Sequence, residues 1–197
     1  YLYKEWIGKV GTSVSFQIKR DGENYSTPQE MTAYYKDKSK STENVTVWGM
    51  YIFVPKWQDE PNAHGVKELS QYTIEEVKLN GSDLVDNKLE ERNSDGVVTG
   101  TWTAVQKDAH TVTNTYVATP THTVTYQWAT SAPDTASLPM PNPVAGVLEG
   151  SEYTVTADGY DPVPETVNGK VGVWRFDGWT YNGQSVSKGS KIRVNDD

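Results

Sequence analysis

The segment His-Thr-Val-Thr-Asn-Thr-Tyr at residues 110–116 has a threonine at every second position, and this alternation decides the fold class of the chain. Successive side chains of a β-strand point to opposite faces, so Val112, Asn114 and Tyr116 share one face and the threonines share the other. The valine and the tyrosine indicate that this face meets a core. The amide of Asn114 is therefore predicted to be buried.

Two other segments place a polar group on a core face in the same way. Residues 2–6 read Leu-Tyr-Lys-Glu-Trp, which puts Lys4 between two apolar side chains. Residues 72–76 read Tyr-Thr-Ile-Glu-Glu, which puts Glu76 on the face of Ile74 and leaves Glu75 toward solvent. A buried amine, acid and amide are costly unless they are paired or have reacted with one another.

The strand period continues through most of the chain, and no segment keeps a sustained helical period, so an all-β fold is predicted. The polar segment 27–43 is interpreted as an excursion rather than a strand, and the charge-rich segment 85–95 as a solvated loop, with a helical turn as the alternative. Strands are predicted at residues 14–18, 45–54, 72–79, 100–105, 111–117, 122–128, 152–157, 171–179 and 191–194.

The segment Val-Ala-Thr-Pro-Thr at residues 117–121 is typical of a linker, because alternation stops before it and restarts after it. It predicts two tandem β domains, residues 1–118 and residues 121–197. Residues 131–143 are rich in proline, serine and alanine and are predicted to form a loop.

Composition limits the function further. The 197 residues carry a net charge of −8, which disfavours nucleic acid and anionic membranes as partners. The absence of cysteine excludes disulfides and thiol chemistry. No apolar run is long enough to span a bilayer, and no signal peptide is found. We interpret the chain as a monomeric piece of a longer protein.

The three buried polar groups predict a specific reaction if the fold brings them together. Burial shifts a lysine toward the neutral amine and a glutamate toward the neutral acid. A neutral Lys4 amine can attack the side-chain carbonyl of Asn114 while Glu76 polarises that carbonyl and relays protons to the departing ammonia. The alternative is a buried Lys4–Glu76 ion pair with a neighbouring amide, which needs no reaction.

The same residues carry a resemblance to the Cna protein B-type repeats of Gram-positive surface proteins and pilins, over residues 1–117. The first strand of that family reads Lys-x-Trp, as at Lys4 and Trp6, and a later strand reads Tyr-x-(Val/Ile)-x-Glu, as at residues 72–76. The last strand reads Val-Thr-Asn-Thr, as at residues 112–115. The resemblance implies an Ig-like β-sandwich in which Lys4 and Asn114 form an isopeptide bond and Glu76 is the catalytic acid.

The second half, residues 121–197, resembles the SHIRT-type repeats of streptococcal and related surface proteins. The similarity lies in His-Thr-Val-Thr-Tyr at residues 122–126 and in Val-Trp-Arg-Phe-Asp-Gly-Trp at residues 173–179. It implies a small β-rich spacer domain. The first strand of this half has no lysine, so no second cross-link is predicted there.

Together these features predict a stalk segment of a cell-wall-attached adhesin or pilus protein, outside a Gram-positive cell, that contacts neighbouring domains of the same protein. It turns over no substrate and needs no cofactor or metal. Histidines 64, 110 and 122 show no ligand spacing, and the turns at residues 21–24 and 93–96 favour hairpins over calcium sites.

The alternative function is a module that binds a host glycan or a matrix protein. Core packing is favoured over a sugar platform for Trp57, Trp128, Trp174 and Trp179. An exposed aromatic cluster in a groove would favour the binding module.

Overall fold

A computed structural model describes residues 1–129 and 138–195, and this part of the chain is all-β with one 3-10 turn at Ala33–Tyr35. The chain divides into two compact units, Tyr1–Ala118 and Thr119–Asp197. The strands are β1 Leu2–Ile7, β2 Ser13–Arg20, β3 Glu23–Asn24, β4 Gln29–Thr32, β5 Val45–Met50, β6 Tyr72–Leu79, β7 Ser82–Asp83, β8 Lys88–Arg92, β9 Val98–Asp108, β10 Thr111–Ala118, β11 Thr121–Val124, β12 Val144–Leu148, β13 Glu152–Thr154, β14 Val163–Val167, β15 Lys170–Trp174, β16 Trp179–Tyr181, β17 Gln184–Val186 and β18 Lys191–Arg193.

The first sheet of the first unit has the strand order β5-β1-β10-β9-β8. In this sheet the first strand of the unit, β1, pairs in parallel with the last strand of the unit, β10. On its other side β1 pairs antiparallel with β5. Burial alternates along β1, with Leu2, Lys4 and Trp6 buried and their neighbours partly exposed.

The second sheet has the order β3-β2-β6-β7, with β4 also paired to β2. The turn after β2 contains Asp21 and Gly22, which both have positive φ, at 52° and 92°. Two successive positive φ values are what a tight type I′ hairpin turn requires, and an Asp-Gly pair adopts them readily. The turn therefore forms where the sequence indicates it.

Both sheets contribute to one hydrophobic core, an arrangement consistent with a β-sandwich. Three tryptophans dominate it: Trp6 lies 4.8 Å from Trp48 and 5.6 Å from Trp102 between ring centroids, in edge-to-face geometry. The buried core residues are Leu2, Trp6, Val14, Phe16, Met31, Trp48, Met50, Ile74, Leu79, Trp102, Ala104 and Val112.

Two predictions about polar segments were wrong. The supposed excursion at 27–43 contains strand β4, which pairs with β2 and completely buries Met31. The supposed loop at 85–95 contains β8, an edge strand with Leu89 and Glu91 partly buried between exposed charges. A charged edge strand is a common protection against pairing with another sheet, so its composition resembles that of a loop.

Strand lengths also differ from prediction. Strand β5 ends at Met50 although residues 45–54 were predicted to be extended, and β9 runs longer than residues 100–105. In the second unit, the predicted strand 171–179 is two strands, β15 and β16, separated at Gly178 with φ 125°. The predicted strands 122–128, 152–157 and 191–194 are shorter in the structure, as β11, β13 and β18.

In the part of the second unit that the structure describes, the strands form four two-stranded sheets, β11-β12, β13-β18, β14-β15 and β16-β17. Its buried cluster is small, with Tyr153, Val155, Ile192 and Val194 at the centre. Of the predicted loop at 131–143, residues 131–137 lie outside the described residues, and 138–143 contain no strand. In the described ranges, no helix has the length and apolar character to cross a membrane.

Candidate functional site

Strands β1 and β10 bring Lys4 and Asn114 together on the core face of the first sheet. In the parallel register, Lys4 lies opposite Val112 and Trp6 lies opposite Asn114. Lys4 and Asn114 are therefore diagonal neighbours on adjacent strands, and both are completely buried. The sequence predicted that each side chain faces the core. It did not predict that the two are neighbours, which follows from the parallel pairing of β1 with β10.

Glu76 approaches from the opposite sheet, on strand β6, and is 6% exposed. A β-bulge lies beside it, because Phe16 pairs with Glu76 whereas the preceding Ser15 pairs with Lys78. The extra residue resets the alternation, so that Glu76 and Leu79 both face the core and Lys78 faces solvent. The bulge thus lets one strand present an acid and then a leucine to the interior.

The carboxylate of Glu76 touches both of the other groups. Its Oε2 lies 2.9 Å from the Lys4 Nζ, and its Oε1 accepts a hydrogen bond of 2.7 Å from the Asn114 Nδ2. Lys4 Nζ also donates a weak 3.4 Å hydrogen bond to the Val112 carbonyl. One carboxylate therefore bridges the amine and the amide inside the core.

Two oxygen atoms of this cluster lack a hydrogen-bond donor among the described residues: Asn114 Oδ1 and Glu76 Oε2. The Oε2 atom lies 2.9 Å from the Lys4 Nζ, so the charge of the carboxylate is compensated by the ammonium. A buried acceptor without a donor costs about 1–3 kcal/mol. The cluster is thus paired in charge but incompletely hydrogen-bonded.

Burial lowers the pKa of Lys4 to about 8, although the neighbouring Glu76 carboxylate acts in the opposite direction. The amine lies 4.9 Å from the centroid of the Trp6 ring, and Trp48 lies opposite Lys4 in the β1–β5 register. These indoles exclude water from the amine. The site therefore favours the neutral, nucleophilic amine far more than an exposed lysine does.

The adjacent acid differs completely from Glu76. Glu75 points to solvent and forms an ion pair of 2.6 Å with Lys19, in which both side chains are substantially exposed. Two consecutive glutamates thus lie in opposite environments, and only one touches the buried amine. Glu75 serves as a natural control for Glu76.

The turns at residues 21–24 and 93–96, considered above as calcium sites, use their polar side chains to bond the backbone. Asp21 accepts a hydrogen bond from the Gln71 backbone, and Asn93 accepts them from the backbone of Asp95 and Val97, so these groups organise turns. Within residues 1–129 and 138–195, no group of three or more histidine, aspartate or glutamate side chains is placed to hold a metal ion.

The four tryptophans considered as a sugar platform do not form one set. Trp57 belongs to the first unit, is half exposed, and has Lys56 above its ring. Trp128, Trp174 and Trp179 line a cleft of about 590 Å³ in the second unit. Sequence reasoning did not assign Tyr160 or Phe176 to this cleft. Tyr160 lies outside the strands, and Phe176 was expected only as part of the predicted strand 171–179.

Comparisons of the chain with protein-family models, with curated proteins and with solved structures find no match.

Proposed function

We propose that the first unit is a self-cross-linking β-sandwich of the Cna B type, and that the chain is a stalk segment of a Gram-positive surface adhesin or pilus protein. The observation that carries this proposal is the contact of Glu76 with both Lys4 and Asn114 inside the core. The three residue types, their order and their burial all match the requirements of intramolecular isopeptide formation. The Cna B resemblance of residues 1–117 supports the same assignment.

The reaction begins with a proton transfer within the ion pair. The Lys4 ammonium gives one proton to Glu76 Oε2 across the 2.9 Å contact, which leaves a neutral amine and a neutral acid. The low polarity of the core favours this exchange, because it removes two buried charges. A half-turn of the Asn114 amide then brings its unpaired Oδ1 to the protonated Glu76, which can donate a hydrogen bond to it.

The bond-forming step consumes only these groups. The Lys4 Nζ attacks Asn114 Cγ, and Glu76 polarises the carbonyl as the tetrahedral intermediate forms. Glu76 then carries a proton from Nζ to Nδ2, the Cγ–Nδ2 bond breaks, and ammonia leaves. The product is a Lys4–Asn114 amide, and Glu76 has returned to the acid form. The fold acts once on itself, by holding the reactants together.

The buried ion pair without reaction is the competing interpretation. Buried ion pairs contribute little net stability, because desolvation offsets their attraction. An ion pair alone also has no use for a buried amide, and it leaves Asn114 Oδ1 without a donor. The reaction removes the charges and gives that oxygen a partner, so it accounts for all three residues.

In a stalk, the cross-link would join the first strand of the unit to its last. Tension entering at β1 would then leave through β10 without loading the sheets between them. The second unit would serve as a spacer of the SHIRT type, and the partners would be neighbouring domains of the same wall-anchored protein. No substrate is turned over in this function.

Mass spectrometry of the intact purified chain tests the proposal. The expected mass is lower than the sequence mass by one ammonia, and a proteolytic digest yields one branched peptide that contains Lys4 and Asn114. Glu76→Ala should give the full sequence mass because the proton relay is lost. Glu75→Ala, the matched control, should still lose ammonia. A wild-type mass equal to the plain sequence would overturn the cross-link.

A further inference from the structure

The second unit contains an aromatic cleft of about 590 Å³ that lies directly against its small core. Three of the four central core residues, Tyr153, Val155 and Ile192, line this cleft, and a group of aromatic rings continues its wall. A cleft of this size matches the range of small-ligand sites.

Four rings form a continuous wall in this cleft. Trp128 lies 5.0 Å from Tyr160 and stacks at 29° to Trp179, while Phe176 lies 5.3 Å from Tyr160 and 5.1 Å from Trp179, all between centroids. Trp179 is buried at 8% exposure, but Trp128, Tyr160 and Phe176 remain only half-buried. The buried ring thus supports three rings whose surfaces stay partly open.

Polar groups surround the aromatic wall. Asp161, Arg175, Asp177 and Asn182 line the same cleft and are exposed. Trp128 Nε1 is a buried donor with no hydrogen-bond partner among the described residues. Ring surfaces together with carboxylate acceptors and guanidinium and amide donors suit a ligand that has apolar C–H faces and hydroxyl edges.

We propose that this cleft binds a short neutral oligosaccharide. Sugar rings stack their C–H faces on aromatic rings, and their hydroxyls donate to carboxylates and accept from amides and guanidinium groups. The cleft carries two carboxylates against one guanidinium, and the whole chain carries −8, so sialylated or sulfated chains are disfavoured. The proposal is independent of the cross-link.

A titration of the full chain with neutral oligosaccharides tests this site, monitored by the NMR signals of the tryptophan indole N–H groups. One arm uses lactosamine-type chains, as on animal cells, and a second uses neutral fragments of bacterial wall polysaccharide. We expect a saturable shift of the Trp128 signal with a dissociation constant of about 0.1–1 mM in one arm.

Matched variants decide whether the cleft is responsible. Trp128→Ala should weaken binding about tenfold or more, whereas Trp57→Ala in the first unit should leave it unchanged. Because removal of a tryptophan can disturb a small unit, Asp161→Asn and Asp177→Asn form a second test on exposed groups, and each should weaken binding severalfold with an unchanged spectrum. The Lys4→Ala chain should bind as wild type, which separates this site from the cross-link.

Several outcomes would overturn the proposal. They are the absence of a saturable response in both arms, undiminished binding by Trp128→Ala, or a preference for a sialylated chain. Tighter binding of a proline-rich peptide, which also stacks on aromatic rings, would assign the cleft to a protein partner instead.

Discussion

The two units of this chain bury their side chains in contrasting ways. The first gathers two sheets around one continuous core and places its first and last strands side by side. The second divides its strands among four separate pairs around a small cluster. The closed arrangement places the first and last strands of the first unit where one covalent bond would span nearly the whole unit. The first unit is therefore held by a large core between two sheets, and the second by a small cluster around the β13–β18 pair.

The ion pairs of the two units also differ in how far they are buried. Lys4 and Glu76 pair inside the first unit with almost no exposed side-chain surface. In the second unit, the Lys188–Asp158 pair is more than half exposed on both sides. Exposed pairs contribute little, about 0–1 kcal/mol, whereas a buried amine and acid are either costly or reactive. Chemistry is therefore expected in the first unit.

The largest expected difference between the units is mechanical. When the chain is pulled by its termini in a single-molecule experiment, we expect the second unit to extend and the first to stay short. The cross-link would hide the segment between Lys4 and Asn114, about 110 residues or roughly 350–400 Å of extended chain. Lys4→Ala should release that length, and Glu75→Ala should not. Full extension of the first unit in the wild-type chain would remove the mechanical basis of the stalk.

The next difference is thermal. Asn114→Ala removes the cross-link but keeps the Lys4–Glu76 pair, so the first unit should lose the benefit of a closed loop. That benefit is about 4–5 kcal/mol in the chain-entropy account, or roughly 20 °C in melting temperature. Calorimetry should show this shift in the transition of the first unit, while the transition of the second stays in place. Equal shifts in both units would contradict their independence.

The Asn114→Ala variant also has a pH signature. Its free Lys4 has a folded-state pKa of about 8, below the ordinary 10.5, so between these values the unfolded chain binds more protons than the folded chain. Stability of the variant should therefore rise as the pH increases from about 8 toward 10.5. If the wild-type chain is cross-linked as proposed, it has no free amine at this position and should lack that rise.

The smallest expected effect is the change of the cross-linking rate with pH, and it distinguishes two mechanisms for the first unit. A chain expressed in insoluble form and kept in denaturant, so that it has never folded, can be refolded at different pH values while its mass is followed. If Glu76 relays a proton received from Lys4, the pair needs one shared proton, and the rate should fall about tenfold per pH unit above the Lys4 pKa of about 8. Attack by a neutral amine without the relay predicts a rate that rises through the same range.

Local alternation predicted much of the first unit and less of the second. It placed Lys4, Glu76 and Asn114 on core faces because their strands lie across a continuous core, and all three are buried. It missed β4 and β8, where mostly polar side chains surround one or two inward residues such as Met31. It also merged β15 with β16, because residues 175–178 leave the strand conformation within a run that reads as one strand.

The sequence by itself determined the all-β class and the core-facing positions of Lys4, Glu76 and Asn114, because both follow from the two-residue period of a strand. The tertiary structure decided the contacts among them. The parallel pairing of β1 with β10 and the bulge beside Glu76 join residues far apart in the chain. The same holds for the aromatic cleft, which gathers Trp128, Tyr160 and Phe176 from separate segments. The two-residue alternation shows which way each side chain of a single strand points. A site depends also on how the strands are paired, which the alternation does not determine.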